Sequence, residues 1–263
     1  DLDHQQFLGD TIAEIAFEKA GILKRGVTAI VGPQPNDALE VIERQAKQVG
    51  APLLVHGQHW HVNVEAERLI YQDETGLLDL PLPNLPGPHQ VQNAGAAIAT
   101  LRYLGMGEVA CIAAMSEAYW PARMQRLRTG PLVKDLSSNE IWLDGGHNPA
   151  AGRAIASTLA SLAKRETHLI CGMINTKDVR GFLAPIATHC TSLTALTIPN
   201  EPSAVLATDL ANFGRSCGLI CFEGVDIDQI LQELSERHPK ARILICGSLY
   251  LAGHVLRQND EQA

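Results

Sequence analysis

The sequence predicts an α/β protein built in two parts, and three observations predict it. Strand-length apolar runs such as Leu169-Ile170-Cys171 and Ile243-Leu244-Ile245 alternate with helix-length segments through the second half, the rhythm of a parallel sheet covered by helices. Ile141-Trp142-Leu143 runs into Asp144-Gly145-Gly146-His147 and at once into a helix, with Asn148 as N-cap and Pro149 as first helical residue. Between Trp60 and Leu80, by contrast, three short alternating segments read as antiparallel strands. The chain has 263 residues, 46% of them hydrophobic, enough for two modest cores. The boundary is placed at Trp120-Pro121-Ala122, giving domains of residues 1–121 and 122–263.

Taken in order, Thr11-Ile12-Ala13-Glu14 fits a capping box, and the helix it opens carries Ile12, Ile15, Ala16 and Lys19 on one stripe before Gly21. A lysine is thereby expected on a buried face. A strand at Thr28–Val31, a helix at Asp37–Val49 and a strand at Pro52–Val55 follow, then strands at Trp60–Val64, Arg68–Gln72 and Leu77–Leu80. Helices are predicted over His89–Leu104 and Glu108–Ala118. Beyond the boundary the pattern predicts strands at Leu132–Val133, Ile141–Leu143, Leu169–Cys171, Leu193–Thr197, Leu219–Phe222 and Ile243–Cys246. The intervening helices are Ala150–Lys164, Val179–Cys190, Ala204–Cys217 and Ile227–His238, with a last one after Ser248. Ligands of such open, doubly wound sheets bind beyond the carboxyl ends of the strands, where Asp144, Gly172 and Gly247-Ser248 all stand.

Composition narrows the functions. With 21 basic against 29 acidic residues and a formal charge of −8, and no basic run with interleaved aromatics, nucleic acid and anionic membranes are not expected partners. The apolar runs are far short of a membrane span. Six cysteines without a C-x-x-C pair read as reduced thiols of a cytoplasmic protein, and a monomer is expected. The chain starts at Asp1, inside a patterned segment, as a piece of a longer polypeptide would.

Several residues can carry chemistry. A buried Lys19 would have a depressed pKa, and its neutral amine could take up carbon dioxide as a carbamate that ligates magnesium through oxygen. The alternative is a lysine whose stem covers apolar surface while its ammonium reaches water. His4 and Glu18 are further candidate ligands near it. Arg123 can clamp a phosphate with its planar fork or be an ordinary surface arginine; Asn93 can bond a nucleotide base or pack a helix. Asp144 and His147 flank a helix N-terminus that favours anions, in a turn that is equally compatible with a plain Asx cap. His56, His59 and His61 invite a metal reading, since alternate residues on a strand share a face, but no cysteine or carboxylate cluster completes a transition-metal set. No G-x-x-x-x-G-K-[ST] phosphate loop occurs in the sequence.

The segments Leu2-Asp3-His4-Gln5, Ile15-Ala16-Phe17-Glu18-Lys19-Ala20-Gly21-Ile22, Val31-Gly32-Pro33-Gln34, Leu85-Pro86-Gly87-Pro88-His89-Gln90 with Asn93, Pro121-Ala122-Arg123-Met124-Gln125, Leu143-Asp144-Gly145-Gly146-His147-Asn148-Pro149 and Gly247-Ser248-Leu249-Tyr250 together resemble the folylpolyglutamate synthase and dihydrofolate synthase family of the Mur ligase superfamily. The resemblance implies the latter part of a P-loop ATPase domain followed by a Rossmann-like C-terminal domain, with the active site in the cleft between them. It implies ATP and Mg2+ as cofactors, with dihydropteroate or folates and L-glutamate as substrates. It further implies that His4 and a carbamylated Lys19 serve the metal, that Asn93, Arg123 and Asp144 contact ATP, and that His147 and Ser248 lie near glutamate. Lys19, Asp144 and His147 would be the catalytic residues. Gly146 stands where the family more often has alanine, and Ala122 where it often has glycine. The phosphate loop would precede Asp1, so the chain alone is expected to be inactive. Another ATP-dependent amino-acid ligase of the superfamily, or a non-catalytic nucleotide-binding module, are the competing expectations.

Overall fold

A computed structural model describes residues 11–136 and 138–260. The chain divides into two compact units, one running to Asn84 and resuming over Pro88–Tyr119, the other comprising Leu85–Gly87 and the chain from Trp120 onward.

In the first unit, α1 (Ile12–Ala20) opens with the capping box its sequence predicts: Glu14 N–H donates to Thr11 Oγ1 at 3.2 Å and Thr11 N–H to Glu14 Oε2 at 3.0 Å. Ala16 packs against Ala38 and Val41 of α2 (Asn36–Val49). β1 (Ala29–Val31) and β2 (Leu53–Val55) pair in parallel. β3 (Trp60–Glu65), β4 (Arg68–Asp73) and β5 (Gly76–Pro81) form the expected antiparallel meander. Its apolar face, carrying Trp60, Leu69, Tyr71 and Leu80, is covered by Ala94 and Ile98 of α3 (Pro88–Tyr103) and by Cys111 and Met115 of α4 (Glu108–Ser116). Alternation puts one strand face into this core and leaves the other to solvent.

The second unit is built on a six-stranded sheet. Its strands are β6 (Gln125–Leu127), β7 (Glu140–Leu143), β8 (Thr167–Cys171), β9 (Ser192–Leu196), β10 (Ile220–Gly224) and β11 (Arg242–Cys246). They lie in the order β10-β9-β8-β11-β7-β6, parallel except for β6, which runs antiparallel to β7 at the edge. β8, β9 and β11 are buried along their whole length, as strands covered on both faces must be. One face is packed by α5 (Pro149–Ser161), α6 (Val179–Ala187) and α7 (Ala207–Ser216), through residues such as Ile155, Phe182 and Leu210. The other is packed by α8 (Ile227–Arg237) and α9 (Leu249–Asp260), through Leu231, Leu251 and Val255.

The strand expected at Leu132–Val133 is absent and its place is taken by turns. Both side chains are buried, but Gly130 turns the backbone at φ 109°, Val133 N–H returns to Gly130 O at 3.1 Å, and Leu132 N–H donates to Asn259 Oδ1 at 3.2 Å. Neither N–H remains for a ladder. The edge strand is formed instead by Gln125–Leu127, which the pattern did not mark. The six cysteines are free thiols. Among the described residues, no helix is long and apolar enough to cross a membrane.

Candidate functional site

The carboxyl ends of β7 and β11 are neighbours, and their chains leave for opposite faces of the sheet: β7 into α5, β11 into α9. Divergence of adjacent connections opens a crevice at that edge, the usual ligand position in an open sheet. The two loops are tied together there. Asp144 N–H donates to Ile245 O at 2.9 Å, and Gly247 N–H to Gly146 O at 3.0 Å. His147 and Ser248, 101 positions apart by number, thus sit on adjoining loops.

Asp144 is buried and accepts two backbone hydrogen bonds, from Met124 N–H at 2.8 Å on Oδ2 and from Gly146 N–H at 2.7 Å on Oδ1. Burial pushes its carboxyl above the ordinary carboxylate range; the two N–H donors, then the charges of Arg123 and His147, oppose the rise without cancelling it. Gly145 N–H donates to Ala122 O at 2.8 Å, so residues 122 and 124 are both bonded to the loop and Arg123 stands exposed between them. Ala122 (φ 55°) and Met124 (φ 43°) both adopt left-handed backbone, a conformation that costs a residue with a Cβ about 1–2 kcal/mol. Glycine at position 122 would meet no such cost.

Asn148 caps α5, its Oδ1 accepting from Ala151 N–H at 2.9 Å, and Pro149 follows as the first helical residue. The half-buried His147 lies just before this N-terminus, its Nδ1 3.0 Å from Gly145 O. A carbonyl only accepts, so Nδ1 carries the proton and the ring plane is fixed by the loop's own backbone. Ser248 is buried and its Oγ accepts from Tyr250 N–H at 3.0 Å, so it also secures the start of α9. Between the loops, Gly247 sits at φ 110°, and a Cβ there would stand 2.8 Å from Gly172 O and 2.6 Å from Cys171 Sγ. Gly247→Ala is expected to cost about 2 kcal/mol or more, from backbone strain and overpacking together, seen as a lower urea midpoint at unchanged m-value.

The remaining expected residues lie in the first unit. Asn93 is exposed on α3, its Nδ2 donating to Oε1 of the buried Gln90 at 2.9 Å. Lys19 does not meet the burial expected of it: it is exposed. Ile15, Ala16 and Ala20 form the buried face of α1. Lys19 stands at the rim of that stripe, where it borders a cavity of about 420 Å³ lined by Ile15, Ala16, Ile30 and Val31. Burial was the premise of carbamate chemistry at this amine, and the helix does not provide it. Its expected partner His4 lies outside the described residues. His59 Nδ1 accepts from Val55 N–H at 3.0 Å, which fixes that ring to the backbone, and the three histidines of that segment do not converge as a ligand set.

A cavity of about 860 Å³ in the second unit has Asn175, Lys177, Asp178, Arg180, Asp209 and Asn212 on its walls. Asp178 caps α6 there, accepting from Gly181 N–H at 2.8 Å. These residues follow β8 and β9 at the same carboxyl edge, and the strand-end rule that singled out Asp144 applies to them equally.

Residues 122–249 match the family of the Mur ligase glutamate ligase domain. The chain is 29% identical over 269 residues to a folylpolyglutamate synthase of Lacticaseibacillus casei, covering 97% of this chain and 59% of that protein. It is similar in structure to Escherichia coli FolC in complex with DHPP and ADP, with a TM-score of 0.85 and 27% identity, across 100% of this chain and 60% of the other. A bifunctional folylpolyglutamate synthase/dihydrofolate synthase solved with Mn, AMPPNP and L-glutamate gives a TM-score of 0.80 at 25% identity, over 97% of this chain and 59% of the other. The chain therefore spans about three fifths of the length of these relatives.

Proposed function

We propose, for a chain that belongs to the folylpolyglutamate synthase and dihydrofolate synthase family, that it forms the later part of an ATP-dependent ligase joining L-glutamate to dihydropteroate, a folate, or both. Residues 1–121 would belong to the ATPase domain and residues 122–263 form the glutamate ligase domain. The observation that carries this reading is the junction of two loops at one sheet edge, where Asp144, His147 and Ser248 lie around the N-terminus of α5 with Arg123 alongside.

In the reaction, a carboxylate oxygen of the acceptor attacks the γ-phosphorus of ATP and ADP leaves. The amine of glutamate then attacks the acyl carbon, phosphate departs with the oxygen it had gained, and an amide remains. Charge grows on the transferred phosphoryl group and then on the acyl oxygen, and fixed donors are the means of stabilising it. Arg123, exposed on a kinked segment, supplies a planar cation for phosphate. Asp144, which holds that segment to the loop, and Asn93 are the residues proposed to contact the nucleotide. His147 and Ser248 attend the glutamate, with the first turn of α5 offering N–H groups to an anion. A divalent ion, magnesium by this reading, would neutralise the phosphates, and His4 and Lys19 are the residues proposed to serve it. A cytoplasmic setting accords with the free thiols.

The test is a product assay on the intact polypeptide with ATP, magnesium and L-glutamate, offering dihydropteroate, tetrahydrofolate or a UDP-muramoyl acceptor in separate reactions. Glutamate added to either pterin acceptor is expected. Product from the muramoyl acceptor alone would assign the chain to another branch of the superfamily.

A further inference from the structure

At the opposite edge of the same sheet, three side chains meet that ligation has no use for. His168, the second residue of β8, is 1% exposed. Its Nε2 lies 3.2 Å from Glu166 Oε1, yet is not aligned for a hydrogen bond and has no other partner. His238, which caps α8, brings Nδ1 within 3.2 Å of the same Glu166 oxygen. The two imidazole rings stand 4.1 Å apart between centroids, and the three candidate donor atoms lie within 4.8 Å of one another. A buried nitrogen that makes no hydrogen bond costs stability unless something is bound to it.

We infer that Glu166, His168 and His238 form a binding site for one divalent transition-metal ion of the zinc class. Two ligands each about 2.1 Å from a tetrahedral zinc stand roughly 3.4 Å apart, close to both observed separations of 3.2 Å. Two imidazoles and one carboxylate suit a borderline metal and not magnesium or calcium, which take oxygen ligands. The far side of His168 is already held: Nδ1 is 2.7 Å from Ser192 Oγ, on the neighbouring strand in register with it. A proton on Nδ1 donated to that hydroxyl leaves the Nε2 lone pair for the ion, the usual outer support of a metal-bound histidine. The nearest guanidinium on β11 is committed elsewhere, with Arg242 Nε at 3.0 Å from Glu140 Oε2 and Nη2 at 3.1 Å from Ala163 O. His238 and Glu166 are partly exposed, which gives the ion a way in and leaves room for water as fourth ligand. The bound ion would pin the end of α8 to the start of β8.

The test uses the whole chain, stripped of metal with a chelator and titrated with Zn2+ against a chromophoric competitor. One equivalent is expected to bind, with Co2+ giving the intense visible absorption of a tetrahedral site. His238→Ala and Glu166→Gln change partly exposed residues and should fold, as circular dichroism will verify; each is expected to lose the cobalt band and weaken zinc at least tenfold. Ser192→Ala removes no ligand, and about a 10–100-fold weaker affinity is expected from loss of the outer hydrogen bond. No zinc binding by the parent chain, or binding equally tight in His238→Ala and Glu166→Gln, would overturn the assignment.

Discussion

His147→Ala in the intact polypeptide is expected to lower ligase turnover by about 10²–10³-fold, the loss typical when one positioned group serving the transition state is removed. The unfolding free energy should move by less than about 1 kcal/mol, since truncating a half-buried polar ring removes little core. The expectation rests on how the ring is held. Its Nδ1–H is bonded to Gly145 O of its own loop at 3.0 Å, which orients the imidazole from within the loop. Parallel measurement of kcat and of the urea midpoint separates the outcomes. Turnover near that of the parent with a clearly lowered midpoint would make His147 a structural residue.

Glu140→Ala is expected to be the most damaging change for stability, at about 3–5 kcal/mol, because it strands a buried cation. Arg242 is 3% exposed and its Nε lies 3.0 Å from Glu140 Oε2. Arg126 and Arg165 reach the other carboxylate oxygen at 3.4 and 3.6 Å, and Trp142 Nε1–H donates at 3.3 Å. Burial would push the Glu140 carboxyl up, but the Trp142 and Arg242 hydrogen bonds and the charges of Arg242 and Arg126 outweigh it and hold the group below its ordinary value of 4.5. A depressed carboxyl contributes stability above its unfolded pKa and loses it as pH falls through the folded one. Glu140→Gln should therefore flatten the decline of melting temperature below pH 4.5. A variant with the parent's acid profile and stability would show that the arginines are satisfied without the carboxylate.

Much of this architecture was legible in the sequence because its signals are local. β7, its glycine-loosened turn and the Asn148-Pro149 helix start are contiguous, and each step has its own residue preference. The apolar runs Leu169-Ile170-Cys171 of β8 and Ile243-Leu244-Ile245 of β11 announced strands of a sheet covered by helices. Leu132–Val133 misled because burial and strand are different properties: two apolar residues can enter a core from a turn when a glycine and a distant Asn259 take over their backbone bonds. The three-residue β6 is too short for a period to register, and only its pairing with β7 makes it a strand. Helical spacing put Lys19 on the apolar stripe, but it stands exposed at the rim, since the neighbouring elements decide how wide a stripe they cover.

The candidate site divides the same way. Asp144 and His147 were visible because loop and cap are adjacent in sequence, and Ser248 because its strand end obeys the same rule. The hydrogen bonds that join them, from Gly247 N–H to Gly146 O and from Met124 N–H to Asp144 Oδ2, pass between segments without any mark in either. Glu140 with Arg165 and Arg242, and Glu166 with His238, are likewise pairs made by strand order alone.

The central claim is ligation through an acyl phosphate, and oxygen transfer tests it most directly. The intact polypeptide would be given ATP, magnesium, L-glutamate and an acceptor whose reacting carboxylate carries ¹⁸O in both positions, and the released phosphate analysed by mass spectrometry. Phosphate bearing one ¹⁸O, released only when acceptor and glutamate are both turned over to amide, is the expected result. Amide formed while the phosphate carries no ¹⁸O, or phosphate released at the same rate without acceptor, would contradict it.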